Sequence, residues 1–167
     1  MSLKGELLTI LQNKEQTLRR IGTNADWAGA VNFNIFNIAG GPARVTGLFG
    51  HVTVACTNNI LVPLLSYYPA VTGIAGITAI AAIAAGAIWP LDTILAWDGT
   101  LLGVLAPTVG IGHGQAGAAS AQCFVAGYID MLPGVIVVVN APVDATAVID
   151  WYLSYKPLSP ATVVTVL

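Results

Sequence analysis

No Asp, Glu, Lys or Arg occurs from residue 45 to residue 91, and His51 is the single imidazole of that stretch. Such sequence has little to hold it in water, so it belongs in a membrane, a buried core or a subunit interface. The shortage extends to the whole chain of 167 residues. Charged residues make up 8% of it, against roughly a quarter in an average soluble domain, while 56% is hydrophobic and the mean hydropathy is +0.77. A lone soluble monomer is not expected from this composition, because too few charges remain to cover its surface. An oligomer or a membrane protein is.

Other scarcities narrow the chemistry. Cys56 and Cys123 are the two cysteines. They form no CxxC and have no histidine at metal-ligand spacing, so both read as small buried apolar residues rather than a disulfide or a metal site. Lys and Arg total six, four of them (Lys4, Lys14, Arg19 and Arg20) in the first twenty positions, so the head is mildly basic and the body sparsely acidic; no basic patch for nucleic acid exists. The apolar part of the opening MSLKGELLTIL is confined by Glu6 and the polar run from Gln12 to Thr17, too short for a signal peptide.

The sequence offers no catalytic, cofactor-binding or metal-ligating constellation. His51 and His113 have no carboxylate or serine at a local spacing that suggests a nucleophile or a ligand. The segment GIGHG at 110–114 lacks the Lys and Ser/Thr of a phosphate loop, and Gln115 spoils GxGxxG. Asp92 and Asp98 would suit an acid–base pair or a hard cation, but read first as cap and turn residues. Trp89, Trp97, Trp151 and the pair Tyr67 and Tyr68 would stack on a sugar; in so apolar a chain they read first as core anchors. No enzyme is expected.

What is present is mostly β pattern, after a different beginning. Over residues 3–21, Leu3, Leu7, Ile10, Leu11, Leu18 and Ile21 lie on one helical stripe, interrupted by Lys14, and Gly22 and Asn24 would stop the helix. This predicts an amphipathic N-terminal arm over residues 1–24, with Leu3, Leu7, Leu11, Leu18 and Ile21 as its interface residues, followed by a body over residues 25–167. From residue 30 the period becomes two: Val31, Phe33 and Ile35 alternate with Asn32 and Asn34. Turn signals follow at Gly40-Gly41-Pro42, Thr57-Asn58-Asn59, Asp98-Gly99 and Leu132-Pro133-Gly134, with strand-like runs between them. Gly110 to Ala121 reads as a loop. The clearest strand alternates Ala147, Ile149, Trp151, Leu153 and Tyr155 with Thr146, Val148, Asp150, Tyr152 and Ser154, and a closing strand runs from Ala161 to Val166.

The run AVTGIAGITAIAAIAAGAIW at 70–89 is long and apolar enough to cross a bilayer. Three glycines, prolines at both flanks and the lack of any Lys or Arg between Arg44 and Lys156 argue instead for core strands or a short buried helix. The expected architecture is therefore mainly β: an antiparallel sandwich or barrel of jelly-roll type with an N-terminal α-helix.

Three stretches, GGPARVTGLFGHVTV at 40–54, GAIWPLDTILAWDGTLLGVL at 86–105 and IDWYLSYKPLSPATVVTV at 149–166, give the chain a pattern that resembles the head decoration or minor capsid proteins of tailed bacteriophages. The resemblance implies a capsid cement protein located in the virion, made in the host cytoplasm and often trimeric, whose partners are its own copies and the major capsid protein. It implies no catalytic residue and no cofactor. Two alternatives stand beside it: a small holin-like or anchoring membrane protein spanning at about 70–89, and a carbohydrate-binding spike module of a virion.

Overall fold

A computed structural model describes residues 14–27, 32–55, 64–70, 77–83, 89–96, 103–108, 128–139 and 147–167. These form eleven strands: β1 (Gln16–Arg20), β2 (Phe33–Ala39), β3 (Ala43–Val54), β4 (Leu64–Pro69), β5 (Ile77–Ile83), β6 (Ile94–Ala96), β7 (Gly103–Thr108), β8 (Ile129–Met131), β9 (Gly134–Val139), β10 (Val148–Pro157) and β11 (Val163–Val166), with one 3₁₀ turn at Asn24–Asp26. The hydrogen-bonded path runs β1-β10-β3-β6-β7-β5-β4-β9-β2-β11, and β8 adds to β3. Two antiparallel sheets make up this path, one around β10 and β3, the other around β9, β4 and β2. Strand β7 belongs to both, antiparallel to β6 and parallel to β5. At the opposite side β1 and β11, the two ends of the path, approach one another.

Alternation explains which faces are inside. Along β10, Ile149, Trp151, Leu153 and Tyr155 are buried, as their period of two predicts. Its partner β3 buries Val45 and Leu48, three positions apart, because the register shifts between Ser154 and Tyr155, which face Gly47 and Val45. Thr46 is the extra residue, and the bulge reverses which parity points inward. A second shift does the same in β2, where Asn34 faces Val137 and Phe36 faces Ile136. Ile35 and Phe36 are both buried there. Trp27, Trp89 and Trp151 are the largest fully buried side chains of a single cluster that also includes Ile38, Val52, Leu65 and Ile136. Trp27 packs edge-on against Phe33 and Trp89.

The predicted turn at Gly40-Gly41-Pro42 joins β2 to β3. Gly40 takes a φ of 73°, and a Cβ there would overlap the main-chain oxygen of Ala161. Both the backbone conformation and the close approach require glycine.

Two expectations are modified, those of the N-terminal helix and of the hairpin at Asp98-Gly99, and a strand expected within the run at 70–89 is present. The helix predicted over residues 3–21 does not extend through its last turns, because Gln16–Arg20 is a strand paired with β10; residues 1–13 lie outside the described residues. Five residues centred on Leu18 fit a period of two as well as one of 3.6, and the free edge of β10 supplies hydrogen bonds that a short amphipathic helix would not gain. Within the run at 70–89, Ile77–Ile83 is a strand between β4 and β7, and among the described residues no helix is long and apolar enough to cross a membrane. The hairpin predicted around Asp98-Gly99 exists as β6 and β7, but pairing ends at Ala96 and Ala106. A two-residue turn at 98–99 would place Ala96 opposite Leu101, whereas Ala96 faces Ala106.

Candidate functional site

On the outer face of the β1-β10-β3 sheet four polar side chains form a transverse row. His51 on β3 stands opposite Asp150 on β10. Beyond the strand edge, Asp92 brings Oδ1 to 3.0 Å from Nε2 of His51. On the other side Arg19 of β1 donates to Oδ2 of Asp150 through Nη2 and Nε, at 2.5 and 3.1 Å. The row therefore reads acid, imidazole, acid, guanidinium across four segments of chain.

Each member is positioned for a reason. Asp150 sits on the outward parity of β10 yet is 2% exposed, because the chain leaving β1 folds over it and the Gly22 amide donates to Oδ1 at 2.8 Å. A Cβ on Gly22 would overlap the carbonyl oxygen of Ile149, so only glycine lets the segment lie this close. Hydrogen bonding and the charge of Asp150 push the Arg19 guanidinium further above its ordinary range. Asp92 has a φ of 66°, the left-handed region that non-glycine residues seldom occupy. It is held there because its amide donates to the Val52 carbonyl, the Val52 amide donates to the Thr93 carbonyl, and the Thr93 hydroxyl donates to the Pro90 carbonyl.

Beside the row, Phe49 and Tyr152 stack nearly parallel with centroids 4.7 Å apart, and Arg19 lies 5.8 Å from the Tyr152 ring. Further along the same face Thr17 and Ser154 share a hydrogen bond of 2.9 Å, Thr46 donates to Glu15, and Arg44 clamps Asp130 with two hydrogen bonds while lying 3.8 Å from the Tyr128 ring. The Arg44 hydrogen bonds hold the Asp130 carboxyl below its usual range.

A second polar group closes the seam between β1 and β11. Arg20 donates through Nη1 and Nη2 to both oxygens of Asp26, at 2.7 and 3.0 Å, and through Nε to the main-chain oxygen of Leu167 at 2.8 Å. The Thr23 amide also donates to Asp26. Burial works against ionising Asp26, but Arg20 and Thr23 outweigh it and hold its carboxyl below the ordinary value. On the segments that flank this seam Ile21 is 67% exposed, Val163 55%, Leu167 50% and Val166 42%.

Chemically, the row is a chain of charge and hydrogen-bond pairs, with the His51–Asp92 contact at one end and the Arg19–Asp150 ion pair at the other. Among the described residues no cluster of His, Cys, Asp and Glu could hold a metal ion. Of the interface residues expected from sequence, Leu18 packs against the core from a partly buried position, and Ile21 is exposed beside the seam. Leu3, Leu7 and Leu11 lie outside the described residues, as do Cys56, Trp97, Asp98, His113 and Cys123. The structure pairs Asp92 with His51, a contact spanning 41 positions that no local spacing reveals. Trp89 and Trp151 are buried, and their indole N–H groups have no partner among the described residues, so they are packing groups and present no face to a sugar.

Comparison of the chain with protein-family models, curated proteins and solved structures returned no match.

Proposed function

We propose that this chain is a structural protein of a tailed-bacteriophage virion, a capsid decoration or cement protein that associates with its own copies, as a trimer, and stabilises the shell by binding the major capsid protein. In this reading the body is a sandwich of jelly-roll type, and the apolar residues Leu3, Leu7 and Leu11 belong to an arm that precedes β1.

The observation that carries the reading is the division of the surface between satisfied charge and exposed apolar side chains. All three arginines of the sequence are held in intramolecular ion pairs, Arg19 with Asp150, Arg20 with Asp26 and Arg44 with Asp130. Ile21, just after β1, and Val163, Val166 and Leu167, on and just after β11, are left exposed. Such a surface suits a passive partner better than a catalyst: apolar contact stabilises association at about 25 cal/mol per Å² before entropic costs, and many copies multiply a modest affinity. The assignment to a phage capsid rests on the sequence pattern at 40–54, 86–105 and 149–166. The holin-like alternative loses support because the apolar run at 70–89 contains a strand, and the glycan-binding alternative because Trp89 and Trp151 are in the core.

Light scattering of the purified chain is the first test. A concentration-stable oligomer is expected; a stable monomer overturns the reading. The second is co-sedimentation of the tagged chain with purified phage heads that lack it. Saturable binding supports the shell role, and self-association without any binding to heads removes it.

A further inference from the structure

We draw no further inference here: the strongest candidate, the Asp92–His51–Asp150–Arg19 row on the outer face of the β1-β10-β3 sheet, belongs to the site already described, where its polar groups partner one another and nothing shows what would bind them.

Discussion

Asp150 binds the amide of Gly22, 128 positions away in the chain, at 2.8 Å, and so fixes the segment that follows β1 across the end of β10. The same carboxylate holds Arg19. One buried acid thereby joins the first strand to the tenth, and its removal strands a main-chain donor that water does not reach.

Replacing Asp150 should therefore be graded. Asp150→Ala leaves the Gly22 amide without an acceptor and is expected to cost about 1–3 kcal/mol. Asp150→Asn retains an oxygen for Gly22 and should cost less. Urea denaturation of both variants checks the order, and equal losses would show that the Gly22 hydrogen bond contributes nothing.

Asp26 contributes to the acid limit. Its carboxyl is held below the ordinary value in the fold, so its contribution is fully present above the unfolded value of about 3.9 and is lost as the pH falls through the folded one. Thermal denaturation of the wild type should decline below about pH 4. In Asp26→Asn that part of the decline should disappear, while stability at neutral pH falls because Arg20 loses its charged partner. A variant whose acid profile parallels the wild type would disprove the assignment.

Tyr67 sets the alkaline counterpart. Burial pushes its hydroxyl up to about 12, and it donates to the Leu132 carbonyl. The folded state thus favours the neutral phenol, so this stability is complete below the unfolded value of about 10 and is lost as the pH rises toward 12. Burial raises the Tyr155 hydroxyl as well, so phenolate absorbance should show late-ionising tyrosine near pH 12 or only with unfolding, reduced by one residue in Tyr67→Phe. Ionisation of Tyr67 at pH 10 in the folded protein would refute this.

The sequence made some of this legible, for physical reasons. The alternation in β10 survives because every second residue there faces the core, and Gly40-Gly41-Pro42 marks its turn because only glycine fits the backbone at residue 40. Two bulges hid the facing of β2 and β3, since one extra residue reverses parity without changing composition. β1 resembled helix because a partner edge, not local propensity, decides five residues. The polar row was illegible: Asp92, His51, Asp150 and Arg19 come from four separate segments, and Asp150 looks like any outward-facing residue until Gly22 covers it.

Asp92 carries a conformational cost that substitution can expose. Its φ of 66° is disfavoured for any residue with a Cβ, by roughly 1–2 kcal/mol. Asp92→Ala keeps that cost and loses the His51 contact, whereas Asp92→Gly loses the contact and relieves the backbone. The glycine variant should be the more stable of the two by about 1 kcal/mol. If alanine is equal or better, the turn is not strained.

The seam gives the sharpest test of self-association. Val163 and Val166 are exposed on β11, a strand that pairs with β2 and has no charged residue between Pro157 and Leu167. Natural edge strands are commonly protected by lysine, and β11 carries none. Because both side chains are exposed, Val163→Lys with Val166→Lys should change the stability of the subunit by no more than about 0.5 kcal/mol per site. Their side chains leave opposite faces of the strand, so desolvating an ammonium group on either face should oppose a contact made through β11. Light scattering is expected to show the doubly substituted chain shifting toward monomer, with an unchanged far-ultraviolet circular dichroism spectrum. An oligomer of undiminished mass would exclude β11 from the interface, even if the wild type self-associates.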